Sequence, residues 1–292
     1  MNSAQGSFWN TSISHSQRLP PPQLLKWIGS KHRFAPEITS FIGDFDRYIE
    51  PFVGGGAMLG ALAPARGLAG DLIRPLIDIW KAVQQDPEAL VASYDERMQK
   101  YLVNPKEAYT AIKDAYNTSP NPYDLLFISR SCYGGVVRFT KKGTLSTPLG
   151  PHKPIPTETF RRRVLDWQKR IAGTEFVCAD FEVTMAQASV GDVVYCDPPY
   201  IYAQAILYGA QDFNIVRLWN SIERCKSVGA RVLLSIDGHK KSGAQKLHLQ
   251  IPEGLFEREV AIDVGRSMLR RFQLVGETLE NEVVSDRLLL TW

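Results

Sequence analysis

The stretch Arg47–Val53 (RYIEPFV) is apolar and β-prone, stops at Gly54-Gly55-Gly56, and gives way to AMLGALA, a good helix start. Strand, glycine turn and helix in that order open a nucleotide-binding α/β unit. Strand-like runs return at Thr174–Cys178, Val193–Cys196, Arg231–Ile236, Phe256–Val264 and Arg287–Trp292, with helical stretches such as Asn214–Val228 between several of them. Such alternation implies a mainly parallel sheet covered on both faces. From Leu72 to about Gln168 the pattern changes. Helical periodicity appears over Leu76–Val83, Pro87–Tyr101, Pro105–Tyr116 and Tyr123–Ser129. A turn-rich stretch, RFTKKGTLSTPLG, follows, and Lys142-Gly143 between two short β-prone runs predicts a hairpin. The chain therefore divides into a polar tail over 1–23 ending in Pro20-Pro21-Pro22, an α/β domain over 24–71 and 172–292, and an inserted, mostly helical domain over 72–171.

Charge narrows the partner. Of the net +3, the stretch Arg130–Arg170 carries +8, which leaves −5 for the rest. A mildly acidic body with one basic segment suggests localised contact with a polyanion, although a solvated basic face has the same composition. No apolar run approaches the ~20 residues of a membrane span, and Met1–Gln17 lacks a signal-peptide pattern. Four cysteines (132, 178, 196, 225) lie far apart without a Cys-x-x-Cys pair, which argues against a metal site or a disulfide framework and fits a reducing cytoplasm.

Three motifs carry chemistry. Asp197-Pro198-Pro199-Tyr200 directly follows the apolar run Val193–Cys196. A buried parallel strand delivers its C-terminal end to the ligand crevice, and two prolines fix φ and supply no N–H, so the carbonyls of that turn serve as acceptors. A carboxylate, a proline carbonyl and an aromatic ring then suit an exocyclic amino group on a ring; a plain strand-capping turn is the alternative. In Glu50-Pro51-Phe52-Val53-Gly54-Gly55-Gly56 the glycines let the backbone approach a cofactor. Asp71 ends the short run Gly67–Gly70 beyond it and suits a ribose hydroxyl or, alternatively, a helix N-cap. In Lys26-Trp27-Ile28-Gly29-Ser30-Lys31, Lys31 can pair with a cofactor carboxylate and Trp27 can cover a sulfonium; a surface loop is the alternative.

KWIGSK, EPFVGGG, Asp71, RSCYGGVVRFTKKGTLSTPLG, Asp180-Phe181 and DPPY occur in one order, and over Leu24–Trp292 the chain resembles the Dam-type, or D12 class, DNA adenine-N6 methyltransferases. The resemblance implies a Rossmann-like S-adenosylmethionine-dependent methyltransferase sheet with an inserted, mostly helical target-recognition domain carrying a β-hairpin. It implies that Trp27, Lys31, Phe52, Gly54, Gly56, Asp71, Asp180, Phe181 and Asp197 hold S-adenosyl-L-methionine, released as S-adenosylhomocysteine, with no metal. Asp197, Pro198, Pro199 and Tyr200 would act on the target base, with Tyr200 stacking on it. Arg138 would read a base edge, and Arg130, Lys141, Lys142, Arg161, Arg162 and Arg163 would complete the contact with double-stranded DNA. Gly134 and Leu145 depart from the family's asparagine and aromatic, which bears on the target sequence and leaves the chemistry alone.

The mechanism this implies is base flipping, at a few kcal/mol, followed by direct methyl transfer without a cysteine nucleophile. Residues 201–212, rich in small residues and aromatics, would close over the flipped base or form a static loop. A monomer is expected, with a cognate restriction endonuclease as a functional counterpart, or else a solitary or phage role. The rivals are a cytosine-N4, RNA-adenine or protein-glutamine acceptor, and an inactive DNA-binding protein of the same fold.

Overall fold

The computed structural model describes residues 19–140, 142–199, 213–237, 250–265 and 284–292. Most of the expected tail, Lys141, Tyr200 and the 201–212 segment lie outside the described residues.

Among the described residues seven strands form one sheet: β1 (Tyr48–Glu50), β2 (Gly67–Asp71), β3 (Thr174–Cys178), β4 (Val193–Cys196), β5 (Arg231–Asp237), β6 (Arg258–Gly265) and β7 (Val284–Leu290), in the order β3-β2-β1-β4-β5-β7-β6. The first five are mutually parallel, and β7 runs antiparallel between β5 and β6. β1 and β4 are buried throughout because both sheet faces are covered. Alternate residues feed two cores. Tyr48, Val193, Tyr195 and Leu233 face one, and Ile49, Val194, Cys196, Val232 and Leu234 face the other. Helices α8 (Phe181–Met185) and α9 (Ile215–Ser227) close the second face through Met185, Leu218 and Ile222. The first face carries α1 (Ala35–Thr39), α2 (Ala57–Leu62) and the helices of the insertion. This is a Rossmann-like fold.

The insertion comprises α3 (Arg74–Gln85), α4 (Pro87–Val103), α5 (Pro105–Thr118), α6 (Pro122–Ser131) and α7 (Thr157–Arg170). Three of them start alike, with Asp86-Pro87, Asn104-Pro105 and Asn121-Pro122. The Asp or Asn side chain accepts from the backbone N–H three residues on, and proline, which has no N–H, takes the first helical position. The insertion does not stand apart. α3 packs on β2 and β3, α7 packs on α2, and one continuous core runs from the sheet into all five helices.

The chain turns back around Lys142-Gly143, and its two arms meet at isolated bridges among the described residues. Phe139 and Leu145 form one antiparallel bridge, flanked by Thr140 N–H to Thr144 O and Ser146 N–H to Arg138 O, and Cys132 and Leu149 form another nearer the root, flanked by Tyr133 N–H to Pro148 O and Gly150 N–H to Ser131 O. Side chains add to these backbone bonds. Asn117 brackets Leu145, donating to its carbonyl (3.0 Å) and accepting from its N–H (2.7 Å), while the Thr147 hydroxyl links Val136 and Arg138.

The proline stretch is not a free tail over its described part. Arg170 donates to Leu19 O, Trp167 to Pro22 O, and Arg130 and Arg163 to Gln23 O, and His32 pairs with Pro21 O. Prolines lack N–H groups but keep their carbonyls, and α6 and α7 hold the segment by them as a strap.

Candidate active site

The strand order reverses between β1 and β4, the switch point at which open α/β sheets place ligands, beyond the strands' carboxyl ends. An open cleft of about 200 Å³ lies there. The residues that follow β1, β2, β3 and β4 line it, joined by Trp27–Lys31 and by Phe213 and Arg217 of the α9 start.

The glycine loop is built by its neighbours. Gly54 and Gly56 have φ of +44° and +68°. A Cβ on Gly54 would sit 3.0 Å from the Trp27 indole, and one on Gly56 would sit 2.9 Å from Trp80. Trp80 also donates its indole N–H to Gly54 O at 3.1 Å. Asp71, at the end of β2, accepts from Gly54 N–H (3.2 Å) and Ile73 N–H (3.1 Å). Asp71 is not the N-cap of α3, whose N-cap position is Ile73. Burial pushes its carboxyl up to about 6 against the pull of those N–H groups.

At the other end, Lys31 Nζ lies 2.7 Å from Asp197 Oδ1, with Lys31 only 4% exposed and Asp197 18%. Lys31, expected at a cofactor carboxylate, lines the cleft and holds the Asp197 carboxylate there. Glu50, at the end of β1, accepts from Tyr48 OH at 2.9 Å. Burial, reinforced by the nearby Asp197 charge, raises its carboxyl to about 8, so it is largely neutral at pH 7. Pro198 and Pro199 line the same end.

The opposite wall is aromatic. Phe52 stacks on Phe181 (5.3 Å between centroids), and Phe213 leans on both at 6.2 and 5.7 Å. Asp180 caps α8 by accepting from Glu182 N–H at 2.9 Å. Arg217 reaches over from α9, bonds Asp180 and Glu182, and lies over the Phe181 ring.

The structure therefore gathers Trp27, Lys31, Phe52, Gly54, Gly56, Asp71, Asp180, Phe181, Asp197, Pro198 and Pro199 around one cleft. Glu50, Phe213 and Arg217 were not singled out from sequence. For Glu50 a signal existed: an acidic residue closing an otherwise apolar strand. For the other two, only the fold brings them to the cleft.

The basic residues divide. Arg138, Lys142 and Arg162 are exposed. Arg130, expected at the DNA, is instead buried: it is 8% exposed, and its guanidinium donates to Gln23 O and Leu24 O, so it holds the strap and does not face a phosphate. The Arg161-Arg162-Arg163 run does not act as one patch either, because successive helix residues turn by 100°. Arg161 pairs with Glu88, and Arg163 binds Gln23 O at 2.6 Å.

Residues 27–259 match the model of the D12 class N6 adenine-specific DNA methyltransferases. A DNA N-6-adenine-methyltransferase of Escherichia phage P1 is 32% identical over 185 residues, covering 61% of this chain and 24% of that protein. The retron Ec67 DNA adenine methylase of Escherichia coli is 33% identical, covering 61% of this chain and 63% of its own length. The type II methyltransferase M.MjaIII of Methanocaldococcus jannaschii is 27% identical over 72% of this chain and 82% of that protein. The chain thus spans about a quarter of the phage P1 relative and just under two thirds of the retron enzyme. With four-fifths of its length matched in this way and the motif residues assembled at one cleft, the chain belongs to the D12 class N6 adenine-specific DNA methyltransferase family.

Proposed function

We propose that this protein transfers a methyl group from S-adenosylmethionine to N6 of an adenine flipped out of duplex DNA. The observation that carries the reading is the cleft at the β1–β4 switch point, where an aromatic wall, an acidic ribose-type acceptor and a Lys31–Asp197 pair converge. The cleft residues fit the cofactor. Phe52, Phe181 and Phe213 offer flat faces to a purine, and Asp180 offers an acceptor to its amino group. The Asp71 oxygens accept from backbone N–H groups and keep lone pairs for ribose hydroxyls. When bound, the cofactor supplies an electrophilic methyl group.

The chain's own residues do the positioning. Lys31 fixes the Asp197 carboxylate by a 2.7 Å contact. Asp197 and the Pro198 carbonyl accept the two amino hydrogens of the flipped base, which draws the nitrogen lone pair out of the ring and toward the donor. Tyr200, next in the sequence, would stack on the base and offset roughly 1–3 kcal/mol of the flipping cost. Catalysis is then positioning and electrostatics. The recognition domain is the 72–171 insertion, with Arg138 and Lys142 on the hairpin and Arg162 on α7 facing DNA. The root of the hairpin abuts the cofactor segment: a Cβ on Gly135 would strike the Lys26 side chain at 2.6 Å. The enzyme works as a monomer in the cytoplasm, with a restriction endonuclease as counterpart or alone.

The test is methyl transfer from labelled S-adenosylmethionine to unmethylated duplex DNA, followed by nucleoside digestion and mass analysis. Label in N6-methyladenosine supports the proposal, and its loss in Asp197→Ala with DNA affinity retained supports the role of Asp197. Label in N4-methylcytosine, in RNA or in protein overturns the acceptor. No transfer to any acceptor, with DNA bound, makes the protein an inactive binder.

A further inference from the structure

Arg217 stands in the first turn of α9 and lines the cleft, yet belongs to none of its motifs. Its Nη2 donates to Asp180 Oδ1 at 2.9 Å and to Glu182 Oε2 at 2.7 Å, and its guanidinium carbon lies 5.1 Å from the Phe181 ring centroid. Arg224, two turns further along α9, approaches the other Glu182 oxygen at 3.8 Å, so Glu182 is itself anchored. The second donor to Asp180, the Glu182 N–H, also lands on Oδ1, at 2.9 Å. Both bonds therefore fall on one oxygen, and Oδ2 receives no hydrogen bond from any described residue. An Asp carboxylate rotates readily about its last bond. Two donors on Oδ1 remove that freedom and fix the direction of Oδ2. An ionised carboxylate only accepts, so the group opposite Oδ2 must be a donor.

We infer that Arg217 is a positioning residue for base recognition in the cofactor. By pinning Oδ1 of Asp180 it commits Oδ2 to the exocyclic amino group of the cofactor's adenine, and so makes the site select a 6-aminopurine. The inference rests on the cofactor reading above and adds to it the residue that sets the selectivity. Arg217 also lies against Phe181, so it holds the ring and the acceptor in one frame.

The experiment measures dissociation constants of the full chain for S-adenosylhomocysteine and for its analogue carrying unsubstituted purine, in the wild type, Arg217→Ala and Arg217→Lys. The wild type is expected to prefer the adenine compound by about tenfold, the size of one hydrogen bond to a charged acceptor. Arg217→Ala is expected to lose most of that preference while binding the purine analogue within about twofold of the wild type; Arg217→Lys recovers part of it. A wild-type preference retained in Arg217→Ala overturns the inference. So does an equal loss of affinity for both compounds, which would make Arg217 a shaper of the pocket only, or a wild type that binds both alike. Failure of the wild type to bind either compound overturns the cofactor reading itself. Arg217 is half-exposed, and thermal unfolding of each variant identifies any that fails to fold, in which case Arg217→Lys carries the comparison.

Discussion

Replacing Gly56 by alanine tests how the glycine loop is held. Gly56 has φ +68° at the start of α2, and the left-handed region costs a non-glycine residue roughly 1–2 kcal/mol. The added Cβ would also lie 2.9 and 3.1 Å from two atoms of Trp80 and 3.3 Å from Trp167. Neither indole has room to withdraw. Both are fully buried, their rings are 4.9 Å apart, and each is tied by its N–H, Trp80 to Gly54 O and Trp167 to Pro22 O. Overpacking of this kind costs about 1–3 kcal/mol, so the two contributions together destabilise by about 2–5 kcal/mol. Gly143 provides the control. Its φ is +78°, but an added Cβ meets nothing within 4 Å, so Gly143→Ala should show the conformational cost of about 1–2 kcal/mol alone. Equilibrium urea unfolding followed by tryptophan fluorescence reads both. If Gly56→Ala is no less stable than Gly143→Ala, the indoles do not confine the loop and the argument fails.

Three further outcomes follow from the site and its surroundings. Glu50 binds its proton more tightly folded (about 8) than unfolded (ordinarily near 4.5), so its contribution is full below about pH 4.5 and is lost as pH rises through 8. Glu50→Gln cannot ionise, and urea unfolding at pH 5, 7 and 8.5 should show it gaining on the wild type with rising pH; a constant gap refutes the protonated Glu50. Lys31→Met removes the 2.7 Å partner of a largely buried carboxylate, which should cost about 3 kcal/mol or more of stability and at least tenfold in methyl transfer, whereas stability within 1 kcal/mol would mean the pair is not coupled. In DNA binding measured against salt, Arg162→Ala should lower the slope by about one, while Arg130→Ala should leave the slope alone and lower the unfolding midpoint; the reverse pattern would return Arg130 to the DNA face.

How much of this was legible in the chain depends on the range over which each feature is decided. β3 and β4 match their apolar runs residue for residue, and α4 and α5 begin where the sequence places them, because strand burial and helical spacing are written in windows of a few residues. The five-residue helices α1 and α8 are too short to show a period. The placing of β7 between β5 and β6 is a choice of neighbour that no local pattern records. The residues proposed to hold the cofactor could be named because they sit in short motifs at strand ends. Phe213 and Arg217 could not, since their roles exist only where the α9 start meets β3's exit. The basic count misled for a related reason: a guanidinium serves a backbone carbonyl as well as a phosphate, and the strap absorbs Arg130, Arg163 and Arg170.

The pairing of β1 with β4 sets a timetable for synthesis. These strands lie side by side at the centre of the sheet, yet Glu50 and Val193 are separated by the whole insertion. At ~5–20 residues per second, on the order of 10 s pass between the emergence of β1 and that of its inner neighbour. During that interval β1 has only β2 for company, and one edge of the sheet's most apolar part lies bare. The helices made in the meantime carry the means to shelter it, since α3 packs on β2 and the Asx-Pro starts of α4, α5 and α6 let each helix begin without the sheet. The insertion proposed to read the DNA would thus also guard the nascent chain, and slowing translation after Ser131 should leave a soluble intermediate, whereas slowing it after Glu50 should promote aggregation.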